Sequence, residues 1–239
     1  PRLPSVEPLP ERLPAGNDGT AEGRARRQAF LRDRGFCIEA VAEGAATGAP
    51  IENHIGAIRL PVGIIGPLRV NGSAAHGDFF VPMATTEGAL IASYHRGAYA
   101  ISHAGGATSV CLTEMVSRAP CFCFDSMASA LRFVGWALER FDELRAVAAT
   151  TTRHGELADL RTTLTGKDVY LIFDYRTGDA AGQNMVTFAT DAVCRYLVER
   201  APVRPERWYL EGNLSGDKKA TMQSFLYARG RKVIAEALL

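Results

Sequence analysis

Between Cys121 and Leu210 the chain switches repeatedly between two periodicities, in an order that few folds accommodate. Cys121–Phe124 reads as a short strand, and Asp125 or Ser126 can cap a helix whose apolar stripe is Leu131, Val134, Leu138 and Phe141. Leu157–Leu164 and Val169–Tyr175 are strands joined by the Thr165-Gly166-Lys167 turn; a helix from about Ala180 to Glu199 and a strand at Trp208–Leu210 follow. The order β-α-β-β-α-β is the ferredoxin-like split motif. Sequence continues on both sides of it, so the expected class is α+β, with this small domain (120–209) inserted into a larger one. The remaining divisions are an arm and helical region (1–50), the first part of the large domain (51–119), and a return to it (210–239).

The flanking sequence has its own constraints. Residues 1–22 hold five prolines and an Asn17-Asp18-Gly19 turn and read as an arm; Glu22–Cys37 reads as a short solvated helix. Prolines and glycines interleaved with Ile55, Ile58, Leu60, Val62, Ile64 and Ile65 predict extended, buried chain over 50–70. Arg69-Val70-Asn71-Gly72 opens a hairpin returning through Phe79-Phe80-Val81. From Thr86 to Ser102 small residues lie on every side of a predicted helix, which suits the centre of the large domain or a ligand surface; Gly97–Thr113 lacks charge and is expected to be buried.

Composition closes off other classes. The 239 residues are 47% hydrophobic and 22% charged with a net charge of +1, which excludes disorder and removes the electrostatic argument for a nucleic-acid partner. No apolar run approaches the ~18 residues of a membrane span. Five cysteines, odd in number and without CxxC spacing, fit a reducing, cytoplasmic setting; five unpaired histidines offer no metal set.

Three segments could carry chemistry. Glu87, in Met83-Ala84-Thr85-Thr86-Glu87-Gly88, falls in the first turn of the small-residue helix, where the helix dipole favours the carboxylate and burial the neutral acid. A first-turn acid serving the dipole accounts for it as well as a proton donor does. Asp217-Lys218-Lys219 follows a turn-rich loop and by itself reads as a solvated surface; a lysine held against an oxyanion would need partners that the sequence does not show. Gly178–Met185 leads from strand into helix and could offer N–H groups to an anion, or simply use Asp179 as an N-cap.

Taken in order, Glu52-Asn53-His54-Ile55-Gly56, Pro61–Leu68, Met83–Gly88, Gly178–Met185 and Asp217-Lys218-Lys219 resemble the signature blocks of hydroxymethylglutaryl-CoA (HMG-CoA) reductases. The resemblance implies reduction of HMG-CoA to mevalonate and CoA by NADPH, in a soluble class I-like form. It further implies a homodimer or homotetramer with active sites at the subunit interface. It implies that Glu87 handles protons and that Lys218 stabilises the oxyanion. Arg118, Asp217 and Lys219 would hold the substrate's carboxylate and hydroxyl, and Ser93 and Arg96 would contact CoA. Thr152, Arg153, Asp179, Ala181, Gly182, Gln183, Asn184 and Met185 would bind the cofactor.

There are departures. Ala181 stands for a methionine, His95 for an asparagine, and Glu211 for a serine. The family's later aspartate and histidine have no match before Leu239, so the sequence reads as an N-terminal portion. A non-catalytic short homologue binding a CoA ester or NADP(H), and a reductase of another acyl-CoA, are the alternatives.

Overall fold

A computed structural model describes residues 12–16, 18–42, 51–227 and 230–239; Asn17 and most of the 1–22 arm lie outside them. The fold is mixed α and β. The chain divides into two compact units, one of residues 1–67 and 80–98 and the other of 68–79 and 99–239.

In the first unit, α1 (Ala21–Arg32) is capped by Thr20, whose side chain accepts from the Gly23 N–H. Its outer face is solvated as expected, but Arg27 is buried and donates to the carbonyls of Gly16 (2.9 Å), Asp18 (2.7 Å) and His54 (3.0 Å). A short α2 (Glu39–Ala42) follows. The hairpin forms: β1 (Val62–Gly72) pairs with β2 (His76–Ala84), closed by the Gly72 N–H on the Ala75 carbonyl at 2.8 Å. It is longer than predicted, and its base lies in this unit while its tip lies in the second. The segment is extended but only partly buried: Ile65 is covered, whereas Ile58, Val62 and Ile64 are more than half exposed. Proline and glycine fixed the backbone's path, and hydrophobicity alone did not fix its cover.

Helix α3 (Leu90–His103) starts later than predicted. Glu87 precedes it, in a turn where its N–H donates to Thr85 Oγ1 at 3.0 Å and its carbonyl accepts from Leu90. Threonine hydroxyls that could cap a helix here stabilise the turn instead. Nor is α3 central in this chain: Ala98 is its one buried residue, and Tyr94 and Tyr99 are over half exposed. Most of Gly97–Thr113 is likewise exposed or half-buried. Small side chains permit close approach without requiring it.

In the second unit β3 (Ala107–Arg118) is shared between two pairings. Its start lies parallel to β1 (Val70 opposite Ala107) and antiparallel to β8 (Gly230–Glu236); its end pairs antiparallel with β6. Beyond it come β4 (Cys121–Cys123), α4 (Met127–Leu138), α5 (Phe141–Ala149), β5 (Glu156–Thr165), β6 (Asp168–Arg176), α6 (Gln183–Arg200) and β7 (Arg207–Tyr209). These four strands run β7-β4-β6-β5, every neighbour antiparallel. Phe122, Phe124, Phe133, Leu171, Phe173, Val193 and Leu197 are fully enclosed in one core between strands and helices.

Ser126 is the cap of α4, but the predicted stripe is displaced. Leu131 and Leu138 are exposed, and Ala130, Phe133, Val134 and Ala137 face the core. Both sets keep helical spacing; the aromatic core selects the face that includes Phe133. Helix α6 begins at Gln183, not near Ala180, and its N-cap is Gly182 in the left-handed region (φ 66°) rather than Asp179. Cys121, Cys123 and Cys194 are buried free thiols; burial and then neighbouring Cys123 push the Cys121 thiol up to about 11.

Candidate active site

The loop after β7 is drawn back onto the sheet by the Gly212 N–H, which donates to the Ala119 carbonyl at 2.7 Å. It then turns through Ser215, whose Oγ accepts from the Asp217 N–H at 3.2 Å. Lys218 follows in the left-handed region (φ 55°), uncommon for a residue with a side chain and of a kind that clusters at functional sites. α7 (Met222–Leu226) closes the segment through a reciprocal Thr221–Ser224 capping box.

This loop meets the end of β3. Arg118 Nη1 donates to Asp217 Oδ2 at 2.7 Å, with the two side chains only 10% and 12% exposed. Arg118 Nη2 donates to Gln183 Oε1 at 2.8 Å, and Gln183 Nε2 donates to Asp217 Oδ1 at 3.2 Å. Arg118 Nε reaches Thr187 Oγ1 at 3.1 Å. Beside this triangle is a cavity of about 340 Å³ whose lining includes Arg118, Thr187, Glu211, Asp217, Lys218 and Lys219. Lys219 Nζ also contacts Asn213 Oδ1. A concave site with two lysines and an arginine–aspartate pair suits an anionic substrate with a reacting carbonyl.

Behind Arg118 lies a second ion pair. Asp174, 4% exposed, sits opposite Ser117 in the β3–β6 register and accepts from its hydroxyl. Arg161 on β5 grips Asp174 with both arms, Nε–Oδ2 at 2.6 Å and Nη2–Oδ1 at 2.9 Å. Arg161 also donates to Gln223 of α7 at 3.2 Å and stacks over Tyr227. None of Ser117, Arg161, Asp174, Thr187 and Gln223 stood out in the sequence. Asp174 left a signal, a lone charge inside the apolar run Val169–Tyr175.

The other expected residues fall elsewhere. Thr152 and Arg153 precede β5, with Thr152 Oγ1 accepting from the His154 N–H at 3.1 Å. A Cβ on Gly155 would lie 2.4 Å from the Met185 methyl, so this loop packs directly on the first turn of α6. Asp179 and Ala181 line a separate hollow of about 230 Å³ with Thr177, Glu114 and Arg231; Asn184 is exposed beside them in sequence. Gln183, grouped with them by sequence, instead turns its side chain to Arg118 and Asp217. In the first unit Glu87 lines an open hollow of about 300 Å³ with Pro61, Gly63, Thr85 and Ile91, and Ser93 and Arg96 are exposed on α3. Among the described residues no His, Cys, Asp and Glu group could hold a metal ion, and no helix is long and apolar enough to cross a membrane.

Solved structures of similar fold include the class II 3-hydroxy-3-methylglutaryl-CoA reductase from Streptococcus pneumoniae bound to NADPH in open conformations. It aligns at TM-score 0.55 and 18% identity over 77% of this chain and 49% of that one. Curated relatives are closer. The 3-hydroxy-3-methylglutaryl-coenzyme A reductase of Aeropyrum pernix is 44% identical over 192 residues, 80% of this chain and 46% of that protein. That of Methanocaldococcus jannaschii is 39% identical over 208 residues, 85% of this chain and 51% of that protein. The chain thus spans about half the length of the curated relatives it matches. The family model of hydroxymethylglutaryl-coenzyme A reductase matches residues 26–239, a span that holds Glu87, the Arg118–Asp217 pair and the Lys218 loop, and the chain belongs to that family.

Proposed function

We propose that this chain serves the NADPH-dependent reduction of HMG-CoA to mevalonate and CoA, a step toward isoprenoids. The observation that carries the proposal is the cavity in which Lys218, held in a strained backbone, stands beside the Arg118–Asp217 pair. Lys218 stabilises negative charge growing on the thioester carbonyl oxygen, and Glu87 supplies the proton. Arg118, Asp217 and Lys219 hold the substrate's carboxylate and hydroxyl. Ser93 and Arg96 take the CoA moiety on the exposed face of α3.

NADPH, when bound, supplies hydride. Residues fit to hold it: no side chain caps the N-terminus of the 18-residue helix α6, which leaves N–H groups for an anion. Gly155, two residues after Arg153, packs on Met185 in the first turn of α6, which supports reading the Arg153 guanidinium as the partner of a 2′-phosphate. Thr152, Asp179, Ala181, Gly182, Asn184 and Met185 complete this side; Gln183 belongs to it through its backbone alone, since its side chain is turned to Arg118 and Asp217. The β7-β4-β6-β5 order supports reading 120–209 as an inserted ferredoxin-like cofactor domain, between the large-domain segments 51–119 and 210–239 and after the 1–50 arm. Homo-oligomerisation and a cytoplasmic setting belong to the same reading.

The test is NADPH oxidation dependent on HMG-CoA by the full-length protein. Removal of a positioned acid costs ~10²–10⁴ in rate, so Glu87→Gln is expected to lose turnover and retain NADPH binding. Wild-type protein without turnover on HMG-CoA defeats the proposal, and a fully active Glu87→Gln variant defeats the role of Glu87.

A further inference from the structure

Gln183 follows the cofactor-side loop in sequence, yet its amide is spent on the substrate side. Its Oε1 accepts from Arg118 Nη2 at 2.8 Å and its Nε2 donates to Asp217 Oδ1 at 3.2 Å. The amide can face only one way: turned over, its NH₂ would oppose the guanidinium and its oxygen the carboxylate. Arginine has five N–H donors; in Arg118 three go to side chains at 2.7–3.1 Å and two only to backbone carbonyls at 3.3 and 3.4 Å, the pair left to turn to a substrate oxygen. Nε serves Thr187; Nη1 serves Asp217 and, at 3.3 Å, the Ser117 carbonyl; Nη2 serves the Gln183 side chain and, at 3.4 Å, the Gln183 carbonyl. Two of Arg118's partners thus belong to Gln183, and a third, Thr187, lies one turn on and is itself tied to Gln183 by its hydroxyl on the same carbonyl at 2.9 Å.

The position of Gln183 is fixed by its neighbours. It is the first residue of α6, directly after left-handed Gly182. A Cβ on Gly182 would meet Met185 and Thr177 at 3.0 Å, so the turn is closely packed from both sides. Displacement of the 178–182 loop therefore carries Gln183, and with it the orientation of Arg118 and Asp217.

We propose that Gln183 is a positioning residue that locks Arg118 to Asp217 and makes the substrate half of the site depend on the cofactor-side helix. This rests on the functional reading above. In Gln183→Leu, Arg118 Nη2 keeps only the long bond to a backbone carbonyl and Asp217 Oδ1 loses its donor. Both side chains then sample orientations that do not present them to the substrate.

The experiment compares wild type, Gln183→Leu and Gln183→Glu in the full-length protein, measuring kcat and the KM values for HMG-CoA and NADPH, with thermal melting as a check on folding. For Gln183→Leu, kcat/KM for HMG-CoA is expected to fall roughly tenfold or more, as two polar partners are lost, while KM for NADPH stays within about twofold. Gln183→Glu keeps the acceptor for Arg118 and is expected to recover part of that loss. If Gln183→Leu does not fold, Gln183→Glu alone decides, with a severalfold rise in KM for HMG-CoA and none for NADPH expected. Unchanged HMG-CoA kinetics in the folded variants, or equal losses toward both substrates, overturns the proposal while wild-type turnover keeps the functional reading intact. Absence of wild-type turnover defeats both.

Discussion

The buried polar residues of the second unit act in linked pairs. Asp174 is almost wholly cut off from water and depends on Arg161 and the Ser117 hydroxyl. Breaking a buried ion pair by removing one partner costs ~3–5 kcal/mol. Because the Arg161 side chain is 20% exposed and can partly rehydrate, Asp174→Ala is expected near the lower end, about 3 kcal/mol, read as a lower urea midpoint. A loss under about 1 kcal/mol would mean that this pair does not hold β3, β5 and β6 together. The same variant frees Ser117, the residue before Arg118, so activity is expected to fall further than stability alone explains.

At the scale of elements, the loop that carries Lys218 is set by how tightly it is laid on β4. A Cβ on Gly212 would sit 2.8 Å from both Cys121 Cβ and the Tyr170 ring, atoms of two buried or half-buried strand residues rather than the ends of flexible chains. Overpacking of this kind costs ~1–3 kcal/mol. Gly212→Ala is expected to destabilise the fold by that amount and to displace the Asp217–Lys219 loop, seen as a lower melting temperature and weaker binding of HMG-CoA. A variant with wild-type stability and binding would show that the loop can lift off β4 freely. Of this element the sequence showed only turn residues. The glycine's necessity comes from a contact across 91 positions with Cys121, which local pattern cannot register.

Over the whole molecule, apolar cover is uneven. The β4–β7 region encloses Phe122, Phe124, Phe133 and Phe173 completely, whereas Val62, Ile64, Phe80 and Tyr94 in the first unit and Tyr99, Val233 and Ile234 in the second are about half exposed or more. Exposed apolar surface on this scale marks association sites. The full-length protein is accordingly expected to sediment as a dimer or larger and to lose specific activity on dilution; a fully active monomer would contradict this.

Most of the strand and helix order over 121–209 was legible because each element repeats its own period, 2 or 3.6, within a few residues; that Phe141 opens a separate helix, α5, rather than ending the stripe of α4 was not. The Met83–Gly88, Gly178–Met185 and Asp217–Lys219 segments were legible because their residue types are unusual in combination. Where a helix begins was less so. Glu87 and Asp179 each precede their helix rather than opening it, since capping residues also stabilise turns and the choice lies with neighbours remote in sequence. The face that α4 buries was settled by Phe122 on β4 and Phe124 just after it, not by α4's own stripe. The polar triangle of Arg118, Gln183 and Asp217 joins positions 65 and 99 residues apart. Local sequence determined the elements and the reactive residue types; the tertiary fold alone decided which side chains meet, because burial makes an unpaired charge costly and so selects its partner from wherever the chain brings one.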